Sequence, residues 1–436
     1  MKLTILGHAG LLVETENKVI VCDPWMSLEG AFLGSWHQWP RNDKLGEEVM
    51  EKIMNADYIY VSHMHRDHFD ELFLKKFFAK NLSTPVLLPG YADEVQRRAL
   101  GYMGAKEFIL LPNEQEIHVD HFKVTCVIDD DGTYAGRGDS ALFIADSTAC
   151  VMNQNDAKID WYPENIDVHL TQFSGAIWYP MTYRKGMNNE QKYLALIPHE
   201  IERRQKAFMN TISASGAKHV VPFAGPPVFL REELRWLNNI GESVFYDQPE
   251  IASYVKAHGF NGLIMNMPGT VIDYSNDVVT VIHPHGMSDK DVEDYYSPEY
   301  KEQEIDQLAQ DRAGVIKEID KSFPEPSDDV VERLKEWLNP IVAKKGDIFK
   351  NIGFNILLAT DDGIKVIFDW KTHEVRDFIE GEHYGHSITL PRRLLEYAVE
   401  KKEKVWTSEL FLSCMFEAWR EGAYNRYVYD LFAFLA

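Results

Sequence analysis

Ser62-His63-Met64-His65-Arg66-Asp67-His68 is the stretch on which the reading of this chain turns. It follows residues 58–61, a short apolar run with the composition of a buried strand. His63 and His65 stand two apart on the loop after that strand, so both imidazoles can face one cation. Asp67 and His68 come after the bend and can face a second cation a few ångströms away. A single ion could not easily use all four. Isolated histidines are ordinarily surface residues. Three histidines and an aspartate packed so closely at a strand end predict a metal centre, because imidazole and carboxylate are common ligands of zinc, iron and manganese.

Outward from this cluster, the first half alternates strand-like and helix-like segments. Strands are predicted at 2–6, 11–14, 18–22, 85–88, 116–119, 122–127, 140–145 and 149–152, and helices at 47–55, 71–80 and 92–102. A helix is expected over 198–212 with Pro198 in its first turn, where the missing N–H costs nothing. A strand follows at 219–223. Ligands in turns after strands fit an α/β sandwich, in which sheets fix the position of functional loops. Further on, a hairpin is predicted from 354–359 and 365–369 around Asp361-Asp362-Gly363, then helices at 392–401 and 408–420.

The chain has 436 residues, enough for two or three domains. Composition turns acidic and polar between about 286 and 311, which places a boundary there. The expected organisation is a metal-binding α/β domain over 1–285 and a C-terminal α+β domain over 286–436, acting as a lid or in dimerisation. The net charge of -23 excludes a general nucleic-acid binder and docking on anionic lipid, which need clustered positive charge. Cys22, Cys126, Cys150 and Cys414 form no C-x-x-C pair, which excludes a zinc finger and a Rieske iron–sulfur centre. No window has the length of a transmembrane helix, and the N-terminal run is too short and too broken for a signal peptide. A cytoplasmic protein with free thiols is expected, with homo-oligomerisation open.

The His63–His68 cluster resembles the metallo-β-lactamase superfamily, which implies an αββα sandwich holding two metal ions. The resemblance further implies a bridging aspartate after a later strand, and Asp156 in Val151-Met152-Asn153-Gln154-Asn155-Asp156 fits it. Another ligand, usually a histidine, is implied between the cluster and that aspartate. No histidine stands there beyond His121; the loop reads Asp129-Asp130-Asp131-Gly132, and Asp130 or Asp131 is the expected substitute. A late histidine is missing too, with Ala224 in its place in Pro222-Phe223-Ala224-Gly225. Trading imidazole for carboxylate hardens the site, so iron is favoured, with zinc or manganese as alternatives.

Further segments resemble the CMP-N-acetylneuraminate hydroxylase branch. They are Gly7-His8-Ala9-Gly10, Cys22-Asp23-Pro24-Trp25, Gly34-Ser35-Trp36, Asp139-Ser140-Ala141, Phe173-Ser174-Gly175-Ala176, Tyr179-Pro180-Met181-Thr182 and Val221-Pro222-Phe223-Ala224-Gly225, in shared order over about 1–285. This implies an iron-dependent oxygenase that consumes O2. The chloramphenicol-pathway β-hydroxylase, a di-iron oxygenase of this fold, also carries a carboxylate for the middle histidine. The sialic-acid enzyme has a Rieske centre that this sequence lacks, so electrons are expected from a separate reductase, ferredoxin or Rieske-type donor, or from the substrate. His63, His65 and an aspartate of 129–131 are expected to hold one metal, Asp67 and His68 the other.

Several residues are weighed beside these. His8 is expected behind the metals as a hydrogen-bonding partner. Trp36 and His37 sit in an aromatic loop that either walls the substrate site or plugs the space between domains. Tyr179 and Thr182 either contact substrate or pack a connection. His283, His285, His383 and His386 are expected in surface or interface roles. The rival to the oxygenase is a metal-dependent hydrolase of an ester, lactone, amide or phosphodiester, in which Asp67 orients a metal-activated water. A binding protein that kept the fold is the third class.

Overall fold

Strands of alternating or continuous apolar residues build two sheets face to face, in a computed structural model that describes residues 1–129, 138–175, 177–275 and 277–435. The first sheet runs Val278–Ile282, Val271–Ser275, Lys2–Gly7, Gly10–Glu14, Val19–Cys22, Tyr58–Tyr60, Val86–Pro89, Phe108–Leu111. It is antiparallel as far as Val19–Cys22 and parallel beyond. The second runs His219–Phe223, Val168–Gln172, Cys150–Asn155, Asp139–Ala145, Phe122–Asp129, Glu116–Val119.

Alternation along each strand decides the layers. Leu3, Ile5, Leu11, Val13, Ile20 and Tyr60 of the first sheet meet Phe122, Val124, Leu142, Val151 and Val221 of the second in one core. The opposite face of the first sheet, with Leu12, Val21 and Ile59, is covered by Phe73, Leu74, Phe77 and Phe78 of helix Glu71–Lys80. That of the second, with Phe143 and Val220, is covered by Phe208 and Ile212 of helix Glu190–Ser215 and by Ile251 and Val255 of helix Gln248–Ala257. The result is the expected αββα sandwich.

Helix Glu190–Ser215 begins earlier than expected. Asn189 caps it by accepting from the Lys192 N–H, and Pro198 lies inside it. Capping and burial of Tyr193 and Ile197 outweigh the proline penalty. The acidic stretch after 286 is also helical, as Asp289–Tyr295 and Pro298–Ser322, and its Val292, Tyr296, Ile305 and Leu308 pack on Trp39, Val228 and Leu230 of the first region. These two helices after 286 therefore pack against the first region.

The C-terminal region holds a third sheet, Glu374–Asp377, Lys365–Asp369, Ile356–Thr360, His386–Leu390, Glu417–Arg420. The helix expected over 408–420 is instead a short helix, Trp406–Glu409, a turn, and the edge strand Glu417–Arg420. Trp406, Leu410, Phe411 and Phe416 are all buried, so no one-sided helical stripe is left, and Cys414 takes a positive φ of 57° that ends any helix. This region shares its core with Trp36, Met181, Tyr183 and Phe229 of the first.

Candidate metal centre

The cluster loop leaves the end of strand Tyr58–Tyr60 and is locked on both sides. Asp70 accepts from the N–H groups of Phe73, Met26 and Ser27, which caps helix Glu71–Lys80 and ties down the Trp25–Ser27 loop. The N–H groups of His68 and Phe69 both donate to the His65 carbonyl, making the bend in the loop between His65 and His68. A third strand end supplies Asp156, just after Asn155, whose φ is 52°.

Seven side chains converge. His63, His65 and Asp139 place one ligand atom each within 4.8 Å of one another; so do His63, His68 and Asp156, and so do His8, Asp67 and His68. His68 Nε2 is 3.8 Å from Asp67 Oδ2 and 3.6 Å from Asp156 Oδ1, and His63 Nδ1 is 3.5 Å from Asp139 Oδ1. The first two distances are too long for hydrogen bonds and suit donors that share a cation. Asp67 Oδ1, His68 Nε2 and Asp156 Oδ1 are buried without any hydrogen-bond partner. Buried polar atoms are ordinarily paired, and a charged one left alone is costly. Three such atoms on residues of one donor cluster fit a metal site.

Electrostatics agree. Burial and the neighbouring His68 push His63 down to about 4, and burial and His63 lower His65, so both rings stand neutral and ready to ligate. Burial opposes the charging of His68, but Asp156 and Asp67 outweigh it and hold its imidazolium well above the usual histidine range. Asp67 is held well below the usual carboxylate range: His68 and His8 overcome the burial that would raise it. Burial, reinforced by Asp156, pushes Asp139 up to about 7. These are carboxylates and imidazoles that a divalent cation would relieve.

Asp130 and Asp131 lie outside the described residues. Asp129 accepts from the Lys158 N–H. Among the described residues the carboxylate that meets His63 and His65 is Asp139, at the start of the next strand; its Asp-Ser-Ala segment drew notice only as part of the family resemblance. Asp23 is the second residue that sequence reasoning left without a role. Fully buried, it accepts from Ser62 N–H and Oγ–H at 2.7 Å, from Asn155 Nδ2 at 2.7 Å and from His68 Nδ1 at 3.0 Å. That last bond puts the His68 proton on Nδ1 and leaves Nε2 for a metal. The sequence signal was its place directly after the strand Val19–Cys22, and the structure gives it a positive φ of 42° that a non-glycine residue rarely adopts.

His8 stands in the turn between the first two strands. Gly7 has φ 114°, and a Cβ there would lie 2.4 Å from Gln38 Oε1, so the turn that presents His8 requires glycine. His8 Nε2 is 2.9 Å from Asp67 Oδ2. Where the late histidine of the fold was missed, Ala224 donates its N–H to the His8 carbonyl at 3.0 Å, and the His8 imidazole comes in beside Asp67 and His68.

The centre opens on a cavity of about 310 Å3 lined by Phe32, Met64, Arg66, Lys158, Gln172 and, from the C-terminal region, Glu403, Val405, Ser408 and Glu409. None of the expected substrate contacts lines it. Trp36 is fully buried, donates Nε1–H to the Leu412 carbonyl at 2.6 Å and packs against Phe32 and Phe229. His37 is buried elsewhere, where burial and Arg312 push it down to about 3. Tyr179 packs edge-on to Tyr183 beneath Arg420, and Thr182 lines a separate cavity of about 850 Å3 between the two regions. Trp36, Tyr179 and Thr182 lie instead where the first region meets the C-terminal one. His283 and His386 are buried and hydrogen-bonded to Thr270 and Tyr183, and exposed His383 pairs with Glu421.

The chain matches the model of the β-lactamase superfamily domain over residues 2–153 and that of the Rv3818-like, SCP2-like domain over 330–436. A Mycolicibacterium smegmatis protein provisionally named a Rieske 2Fe-2S iron–sulfur protein is 32% identical, over 99% of this chain and 84% of its own length. The cytidine monophosphate-N-acetylneuraminic acid hydroxylase of Danio rerio is 25% identical, over 65% of this chain and 49% of its own length. Among solved structures, isothiocyanate hydrolase from Delia radicum gut bacteria superposes with a TM-score of 0.42 at 14% identity, covering 63% of this chain and 100% of that one.

Proposed function

From its place in the metallo-β-lactamase superfamily, to which the chain belongs together with the mycobacterial relatives, we propose that it is a binuclear, di-iron oxygenase of a small-molecule substrate. The observation that carries this reading is the donor set: three carboxylates, Asp67, Asp139 and Asp156, among four imidazoles, His8, His63, His65 and His68. Carboxylate in place of imidazole suits a hard, redox-active metal better than a set of histidines does. In this reading His63, His65 and Asp139 hold one ion, Asp67 and His68 the other with His8 beside them, and Asp156 lies between.

Two irons would supply oxygen activation and redox equivalents. The chain's own residues do the rest. Asp23 keeps the His68 proton on Nδ1. Asp70 and the His65 turn hold the four cluster donors in a fixed geometry, which is what a preorganised centre requires. Phe32, Met64 and Val405 give the cavity apolar wall and exclude water from that side. Electrons would come from a ferredoxin or Rieske-type protein. The Rieske name carried by relatives that align over nearly this whole chain supports such a donor.

The test is metal analysis of protein purified without added metal, with an optical spectrum in air and oxygen uptake on addition of a reducing agent. About two irons per chain, an oxo-bridge absorption lost on reduction and oxygen uptake are expected. About two zincs, no such band and no uptake would overturn the redox reading and favour a hydrolase of an ester, lactone, amide or phosphodiester.

A further inference from the structure

The wall of the metal cavity that comes from the C-terminal region touches the ligand loop itself. His65 Nδ1 lies 2.9 Å from His63 Nε2, so this nitrogen faces the donor cluster. The opposite nitrogen, Nε2, points out of the cluster and meets Ser408 Oγ at 3.4 Å. A histidine that ligates through Nδ1 must carry its proton on Nε2, and a ligating imidazole usually donates that N–H to an oxygen, which fixes the ring and raises its basicity. Ser408 offers that oxygen.

One residue along, Glu409 accepts from Arg66 Nε at 3.2 Å. Arg66 stands between the ligands His65 and Asp67 and also pairs with Glu71 at the start of the helix after the loop. Ser408 and Glu409 are themselves rigidly held. Trp406 is fully buried and stacks on Phe432 with ring centroids 5.4 Å apart, and Leu410 and Phe411 are buried beside it. The other side of His65 meets Phe32, whose neighbour Trp36 bonds to the Leu412 carbonyl.

We propose that the Val405–Glu409 segment is a working part of the metal centre: Ser408 is a positioning residue for His65, and Glu409 holds Arg66, so that the ligand loop is completed only when the C-terminal region is docked. This rests on the reading of the site as a metal centre and assigns to the C-terminal region a task beyond packing. Metal affinity and docking of that region are then linked: whatever loosens one weakens the other.

The test uses the full chain freed of metal and titrated with Co(II), followed by the ligand-field absorption, for the parent, Ser408→Ala, Ser408→Thr and Glu409→Gln. Ser408→Ala should weaken Co(II) binding about tenfold and shift the absorption band, with unchanged melting of the metal-free protein. Ser408→Thr, which keeps the hydroxyl, should restore both. Glu409→Gln should weaken binding by less, about threefold, since Arg66 keeps Glu71. A Ser408→Ala protein that binds Co(II) like the parent, with the same band, overturns the inference while leaving the metal centre standing. A parent that takes up no Co(II) overturns both.

Discussion

Buried carboxylates occur in both halves of the molecule, and they are treated in opposite ways. In the C-terminal region Glu396 is fully buried, yet its oxygens accept from Ser327 N–H and Oγ–H, from Arg333 and from Arg392. In the first region Asp67 is buried almost as deeply and Asp156 is half-buried at the cavity, and each keeps an enclosed oxygen without a partner. A buried charge that is fully satisfied is part of the architecture. One left unsatisfied among other donors costs stability and marks a place for something to bind. What sets the orphaned oxygens next to His68 apart is that they lie among other potential metal ligands.

Breaking either side of that comparison should give different failures. His68→Ala removes the imidazole shared by two of the donor groups, so metal content, read by mass spectrometry of the reconstituted protein, should drop by at least one ion per chain, with affinity lowered more than about a hundredfold. In the metal-free protein Asp67 and Asp156 lose the imidazolium that holds them charged, so some stability should be lost as well, but the fold should persist. Glu396→Ala should do the reverse. Leaving Arg333 and Arg392 without their shared partner should cost about 2–4 kcal/mol in denaturant unfolding, discounted for the solvent contact Arg333 keeps, while the folded fraction keeps its metal. Asp23→Asn sharpens the contrast from within the site. The fold by circular dichroism should persist while metal affinity falls about 10–100-fold, because His68 loses the acceptor that fixes its tautomer.

The smallest effect is one of pH. In the metal-free protein Asp139 stands at about 7, above the roughly 3.9 of an unfolded aspartate. A raised carboxylate favours folding only while protonated. Its cost is absent below the unfolded value, grows as pH rises from about 4 to about 7, and is complete above that. Asp139→Asn should therefore raise the melting temperature of metal-free protein at pH 8 and leave it unchanged near pH 4. In the parent, metal affinity at this position should fall as pH drops below about 7, because a proton must be displaced.

How much of this was legible in the sequence follows from how local each feature is. His63, His65, Asp67 and His68 are contiguous, and one loop after one strand suffices to bring them together. Asp156 was within reach because it follows a strand whose order along the chain matches a known pattern. Asp139 was noted only within the family resemblance, since an aspartate opening a strand looks like an ordinary turn residue; Asp130 and Asp131 lie outside the described residues. Only the pairing of Asp139–Ala145 with Phe122–Asp129 brings it to His63. Alternating strand and helix patterns gave an α/β sandwich for the first region, and its αββα order came from the resemblance carried by the His63–His68 motif. The segment 408–420 was expected as a helix, but its aromatics are buried on all sides, and burial of that kind erases the periodicity on which such a reading depends. Ser408 could not be found for the same reason.

Anomalous diffraction from crystals of the metal-loaded protein tests the central claim most directly. Two peaks about 3.5–4 Å apart are predicted, one bonded to His63, His65 and Asp139, the other to Asp67 and His68, with Asp156 reaching between them. A single peak, or peaks that leave Asp139 and Asp156 unbound, would contradict the account.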